Sequence, residues 1–273
     1  MFKNQKDKNA NLLDKPLTRA ILVLFGLASI FLIWYLISLI IENYILDDGV
    51  LNIFFPGPEV VIPVFFKMMG ESETYVNIAY TIARLLLSFA FSFVLAFIFG
   101  AIAGVFKSFE IYFKPVVVVM RTLPPAVLIL SLLMFMRYDY ALFVIVLLVM
   151  FPILYEAVLS GFKNIDHDIL QATRLETKIY SPNSMFKVLV PCARPYVFLG
   201  VVQTLGLGLK VSIMAEVLLG SAKCKGIGVA FYIAKLDLRY DVMFSYSIYA
   251  ILIIALLDYF LGLVKRKIKA DLR

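Results

Sequence analysis

The chain has 273 residues, of which 62% are hydrophobic and 16% are charged, and its mean hydropathy is +0.93. A soluble domain of this length carries more charge, so the composition predicts a polytopic membrane protein. A net charge of +7 is also typical of nucleic-acid-binding proteins, but here the basic residues flank apolar runs, as orientation in a bilayer requires. We therefore expect a lipid bilayer, and no nucleic acid, among the partners.

Six apolar runs predict an all-α protein with six transmembrane helices. After a basic tail over residues 1–19, the apolar run 20–41 is long enough to cross a hydrocarbon core of ~30 Å. The remaining spans are predicted over 77–106, 115–136, 141–155, 195–219 and 241–264. Whether the fourth of the six spans, 141–155, extends to residue 160 is left open. Residues 20–264 thus form one transmembrane domain, and 265–273 form a basic tail.

The basic residues are distributed unequally between the two sides of this layout. Seventeen Lys and Arg lie in the segments on the side of both termini, against six on the other side. Because positively charged segments stay in the cytoplasm, both termini are predicted to be cytoplasmic.

A long polar stretch, residues 151–200, interrupts the apolar pattern between the fourth and fifth spans. Its central part, a loop over about 161–194, keeps helical spacing from 165 to 175, with Ile165, Ile169 and Thr173 on one face. An amphipathic helix between two spans predicts a docking element for another protein.

The loop resembles the coupling loop of bacterial ABC importer permeases, in which E-A-A is followed by a Gly and later by hydrophobic-x-Leu-Pro. The literal Glu156-Ala157, with Gly161, lies thirty-five residues before Pro191, which exceeds the family spacing of roughly twenty. The stretch Q-A-T-R at 171–174 begins twenty residues before Pro191, and we choose this register.

In this register Gln171 replaces the family Glu, Thr173 replaces the second Ala, and the Gly position falls near Thr177. The resemblance implies a set of residues that couple the permease to its ATPase: Asp166, Gln171, Ala172, Thr173, Arg174 and Thr177.

Further stretches resemble permeases for nitrate, sulfonate and taurine-type substrates. They are G-F-K-N-I-D at 161–166, F-P-G-P-E-V-V at 55–61, R-T-L-P at 121–124, and A-E at 215–216 followed by G-I-G at 226–228. The resemblance covers roughly 55–264. It implies a permease that moves a small polar or anionic solute, works as a homodimer, and binds two cytoplasmic ATP-binding subunits and an extracytoplasmic substrate-binding protein.

Sequence signatures of catalysis are missing from the chain. It has neither a P-loop G-x-x-x-x-G-K-[ST] nor H-E-x-x-H. Its one histidine, His167, is expected to be solvated in the loop, with a role in docking as the alternative. We therefore expect ATP hydrolysis in a separate subunit, and neither cofactor nor metal. The alternative function is an ion-coupled secondary transporter; an intramembrane enzyme would lack catalytic residues.

Three charges inside predicted spans, Arg84, Lys210 and Glu216, are the candidates for a translocation pathway or gate, with Asp258 a weaker case. A charge at a helix centre costs at least ~2.5 kcal/mol, so each needs a partner or water. Glu216 and Lys210 lie about 120° apart around one helix, so they do not share a face and direct pairing is poor.

Similar depth makes Arg84 the expected partner of Glu216, either as a structural ion pair or as a substrate or gate contact. For Lys210 two environments are open. One is the central pathway. The other is the set of carbonyls freed at Pro124 and Pro125, where the proline pair is expected to bend the third span.

Overall fold

The computed structural model describes residues 16–44, 55–176, 181, 184–221 and 224–271, and all regular structure within these ranges is helical. Residues 1–15 of the predicted N-terminal tail lie outside the described residues. The helices are α1 Pro16–Tyr44, α2 Pro58–Met68, α3 Ser72–Val105, α4 Lys107–Thr122, α5 Pro125–Leu133, α6 Tyr138–Lys163, α7 His167–Glu176, α8 Val190–Leu219, α9 Ile227–Leu236 and α10 Tyr240–Asp271.

Five stretches are long and apolar enough to cross a membrane: they lie in α1, α3, α6, α8 with the π-helical turn Met185–Leu189 that precedes it, and α10. A further span is formed by α4 and α5, which are bent by 91° at the break between them. With this broken span counted, the predicted all-α fold with six membrane helices is confirmed.

The break between α4 and α5 follows from two consecutive prolines. Leu123 has ψ 124° and Pro124 has ψ 130°, because a residue that precedes proline is pushed out of the helical region. The carbonyl of Pro124 accepts a hydrogen bond from the amide of Val127 at 3.0 Å, so α5 starts a new helix at once. The bend expected from the proline pair is therefore present.

Two compact units make up the chain: residues 1–68 with 234–245, and residues 69–233 with 246–273. In the smaller unit, the rings of Trp34 and Phe244 stack with centroids 6.1 Å apart, and Phe55 meets Phe244 edge-on at 5.4 Å. The Ser38 hydroxyl donates to the carbonyl of Phe55 at 3.3 Å. Many apolar side chains of α1 remain exposed, as expected of a helix that faces lipid.

The larger unit is built on α3, α6 and α8. Its main apolar cluster contains the buried residues Leu85, Ala96, Ala103, Val117, Val146, Met150, Phe151, Leu154, Tyr155 and Leu209. Serine hydroxyls add hydrogen bonds between α3 and α6: Ser88 donates to the carbonyl of Phe143 at 3.1 Å, and Ser92 to that of Leu147 at 3.3 Å. Hydrogen bonds between helices stabilise a bundle in lipid, where no other partners for these groups are offered.

Small residues allow α6 and α8 to approach each other closely. A Cβ added at Gly200 would lie 2.2 Å from the Cβ of Ala157, and one at Gly161 would lie 2.8 Å from the Cβ of Ala193. Only glycine fits such distances, and small residues at helix contacts are typical of membrane bundles. This seam of small residues fixes α8 against the end of α6 from which α7 continues.

The structure also differs from the sequence prediction at several helix bounds. Helices α2 and α9 lie in segments predicted as connections, and α10 continues to Asp271, past the predicted end of the last span. Helix α3 begins at Ser72, before the predicted start at residue 77, because its first turns carry the polar residues Ser72, Glu73 and Thr74, which hydropathy does not count as span.

Candidate functional site

The carboxylate of Glu216 is completely buried near the end of α8, inside the larger unit. It forms an ion pair with the guanidinium of Arg84 on α3. The hydroxyl of Thr81 donates to both carboxylate oxygens, at 2.9 and 3.0 Å, and the amide of Gly228 donates at 2.8 Å. These donors offset the cost of removing the charge from water.

The same polar face of α3 holds the segment that leads into α9. Three hydrogen bonds join them: Gly226 N to Asn77 Oδ1 at 3.1 Å, Ile227 N to Thr81 Oγ1 at 2.9 Å, and Arg84 Nη2 to the carbonyl of Lys225 at 3.2 Å. Glu216 and its partners therefore tie α3, α8 and the start of α9 together.

The two glycines of G-I-G at 226–228 are required by this packing. Gly226 has φ +156°, and a Cβ there would lie 2.5 Å from Glu216 Oε2. A Cβ on Gly228 would lie 2.4 Å from the carbonyl oxygen of Ile213. The glutamate and the two glycines thus form one structural unit although they are ten or more residues apart.

The structure brings together the expected pair Arg84 and Glu216 and leaves Lys210 apart from them. Lys210 is exposed and forms no ion pair within the described part of the chain. Asp258 is also exposed, with Oδ1 3.2 Å from where a Cβ on Gly206 would lie. Sequence reasoning missed Asn77 and Thr81, although their spacing of seven and three residues from Arg84 places all three on one helix face.

Helix α7 lies inside the predicted docking segment. Asp166 precedes its first residue and caps it: the Asp166 Oδ1 accepts from the amide of Asp168 at 3.0 Å, and the Asp166 carbonyl accepts from the amide of Leu170 at 3.1 Å. The exposed ring of His167 has its Nδ1 3.1 Å from the side-chain Nε2 of Gln171. The Thr173 hydroxyl bonds to the carbonyl of Ile169 at 2.8 Å.

One side of α7 is anchored and the other is open. Ile165 and Leu170 belong to an apolar cluster with Val158 and Phe162 of α6, and with Ala193 of α8. Gln171 and Ala172 are exposed. The side chain of Arg174 and the whole of Thr177 lie outside the described residues.

One ion pair joins the start of α4 to the end of α6, and a second lies within α4. Glu110 accepts from Lys107 at 2.9 Å and also from Lys163, the last residue of α6. The Glu110–Lys163 pair thus links the end of α6 to the first helix of the broken span.

A cavity of about 230 Å³ opens between α4, α6 and α8. An ion pair of Arg121 and Glu156 lies on its wall, and both side chains are about half exposed (49% and 43%). The lining also includes Ile153, Ala157, Ser160, Tyr196, Leu199, Gly200 and Gln203. Sequence reasoning missed this pair, since Glu156 and Arg121 were considered only as parts of separate motifs. In the described ranges no cluster of His, Cys, Asp and Glu could hold a metal ion.

Residues 93–270 match the family described as binding-protein-dependent transport system inner membrane component. The chain belongs to this family. It is thus a permease subunit of an ABC importer, and membership implies ATP-binding subunits and a substrate-binding protein as partners.

Several known proteins are similar to the chain. It is 26% identical, over 78% of its length and 76% of the relative's, to a putative aliphatic sulfonates transport permease protein, SsuC, of Bacillus subtilis. It is 28% identical, over 64% of its length and 61% of the relative's, to the nitrate import permease protein NrtB of Leptolyngbya laminosa.

Solved structures show the same fold. The MetNI methionine ABC transporter, in an inward-facing conformation, matches with a TM-score of 0.58 at 19% identity, over 70% of this chain and 94% of that one. An amino acid ABC transporter with histidines matches with the same TM-score at 17% identity, over 76% and 94%.

Replacing Arg84 by Met should destabilise the permease strongly, because Glu216 would remain buried without its counter-charge. Losses of about 3–5 kcal/mol are typical when one partner of a buried pair is removed. Adding Glu216→Gln removes the stranded charge, so the double variant should recover part of the loss. Thermal unfolding of the purified permease measures both.

The control is Lys107→Met, which removes an ion pair whose lysine is 70% exposed and should change the unfolding midpoint little. If Arg84→Met alone were no less stable than the double variant, the ion pair would not hold this region together.

Proposed function

We propose that the chain imports a small polar or anionic solute of the nitrate, sulfonate or taurine class across the bacterial cytoplasmic membrane. The observation that carries the proposal is α7, a helix anchored on one side to the ends of two spans and open on the other. An element of this kind gives a separate ATPase a surface through which to move the spans. Relatives named for sulfonates and nitrate support the solute class.

In this proposal ATP is hydrolysed in two separate subunits that bind α7. Ala172 and Gln171 lie on the open side, where they contact the ATPase. Asp166 and Thr173 fix the helix by their bonds to its backbone, and Arg174 and Thr177 complete the coupling set. Closure of the ATPases on ATP moves α7, and α6 and α8 follow because the apolar cluster joins them.

The assembly contains two copies of this chain and an extracytoplasmic substrate-binding protein. Both termini and α7 are cytoplasmic, and the segment that carries Gly226 is extracytoplasmic. The distribution of Lys and Arg supports this orientation.

Two introduced cysteines test the orientation. Cys192 is replaced by Ser and the buried Cys224 by Ala, so that only the new thiol reacts. Lys225→Cys, at an exposed position, should react with an impermeant thiol reagent in intact cells. His167→Cys, on α7, should react only after permeabilisation; the reverse pattern would contradict the proposed orientation.

Replacing Ala172 by Asp should abolish uptake. A small residue that is pressed into a protein groove cannot be exchanged for a charge without a partner. The assay is ATP-dependent uptake of radiolabelled taurine, an alkanesulfonate or nitrate by vesicles that contain the whole transporter, with membrane insertion measured in parallel.

Ala172→Ser is the matched control and should transport normally, since it adds a single oxygen and no charge. Normal uptake by Ala172→Asp would remove α7 as the coupling helix. Absence of ATP-dependent uptake of every probe by the unaltered transporter would contradict the proposed solute class.

The three charges of the spans have different places in this proposal. Arg84 and Glu216 act as a gate element by holding the segment before α9 against α3, and Lys210 lines the pathway. The exposure of Lys210 supports its role, because an exposed ammonium at membrane depth needs water or an anionic solute beside it.

Replacing Lys210 by Met should lower uptake by at least about ten-fold, which corresponds to 1.36 kcal/mol of lost interaction. Folding and coupled ATP hydrolysis should be unchanged. Lys210→Arg keeps the positive charge and should retain most of the uptake. Unchanged uptake by Lys210→Met would remove the residue from the pathway.

A further inference from the structure

The Arg121–Glu156 pair lies within membrane-spanning elements. Glu156 is in the candidate span of α6, seven residues before its last residue Lys163, or about 10 Å along the axis at 1.5 Å per residue. Arg121 is in the last turn of α4, just before the break. Charges at such positions are expensive against lipid, so their half-exposed surface must adjoin water or protein.

Neutral polar groups lie near the pair, on the faces of α6 and α8 that line the cavity. Ser160 is four residues from Glu156 on α6, and Tyr196 and Gln203 are two turns apart on α8. The two helices touch where Gly200 meets Ala157, and both of these small residues line the cavity.

Much of the hydrogen-bonding capacity of the pair is available for a ligand. The ion pair joins Nη1 of Arg121 to Oε1 of Glu156. A guanidinium offers five donors and a carboxylate about four acceptor sites, so one such contact uses a small part of either. With side chains 49% and 43% exposed, both groups can be reached from the cavity.

The charges of the lining select the class of ligand. Arg121 and Glu156 are its two charged residues, and the other lining residues are neutral. A simple anion bound to Arg121 would place a second negative charge beside Glu156. A simple cation bound to Glu156 would place a second positive charge beside Arg121. A solute that carries both signs compensates both groups at once.

We propose that this cavity binds a small zwitterionic solute, with Arg121 holding its anionic group and Glu156 its cationic group. The volume of about 230 Å³ lies below the roughly 300–1,000 Å³ of pockets for drug-sized ligands, which favours a solute with a short chain. Tyr196, Gln203 and Ser160 supply neutral hydrogen bonds. This assignment rests on the proposed import function and narrows its solute class.

Protection of an introduced thiol tests the site in the whole transporter. Leu199→Cys places a thiol on the cavity wall, in a chain whose own cysteines are replaced, and a neutral methanethiosulfonate reagent modifies it in nucleotide-free vesicles. A bound ligand that blocks the thiol slows its modification by the factor 1 + [L]/Kd. At a taurine concentration of about four times its Kd, the modification rate should therefore fall about five-fold. Ethanesulfonate and ethylammonium, which each carry one of its charges, should protect far less.

Charge variants show whether the pair is the ligand. Arg121→Gln and Glu156→Gln should each abolish protection by taurine. The double variant Arg121→Glu with Glu156→Arg exchanges the positions of the two charges. It should regain protection, because taurine can bind in the opposite orientation. Lys114→Gln is the matched control: it is exposed, two turns earlier on α4, and should change nothing.

Equal protection by ethanesulfonate and taurine would overturn the zwitterion assignment, and absence of protection by every probe would overturn the site. ATP-dependent uptake is measured in the same vesicles. Uptake without protection at Leu199→Cys would contradict this inference alone, whereas loss of all ATP-dependent uptake by the unaltered chain would contradict the proposed function.

Discussion

Burial of the Glu216 carboxylate is the constraint on which one end of the larger unit depends. A completely buried charge has to be surrounded by donors, and those donors come from α3 and from the segment that leads into α9. The hydrogen bonds and the ion pair of the Glu216 carboxylate therefore fix how α8, α3 and that segment pack together. The positive φ of Gly226 and the close approach of Gly228 are consequences of the same requirement.

The other end of the unit is organised by apolar contact. Gly161 against Ala193 brings α6 and α8 together, and Ile165 packs with Phe162 and Leu189 in the adjoining cluster. Because α7 follows α6 directly and shares this cluster, it cannot shift without the span that precedes it. The rigid connection that the proposed coupling role of α7 requires thus comes from close packing, as small residues permit in a membrane bundle.

Hydropathy and proline placement were sufficient to predict the spans, the bend at Pro124, and a helix within 165–175. They were insufficient for α2 and α9, since short apolar helices next to turns have no periodic signal that separates them from a loop. The Arg84–Glu216 pair was predictable because both charges have similar depth. The Arg121–Glu156 pair was not predictable, since it depends on how α4 packs against α6, and local sequence does not determine that packing.

The same two residue types differ in burial at the two sites, and burial decides whether a ligand can reach them. Around Glu216 water is excluded, so the loss of a partner leaves a charge that nothing else compensates, and the pair persists. Around Arg121 and Glu156 the side chains are half exposed, so a ligand in the cavity can reach both charges. A pair that can be reached in this way can be opened by a solute that supplies both charges, whereas the Glu216 pair stays closed while the helices around it keep their places.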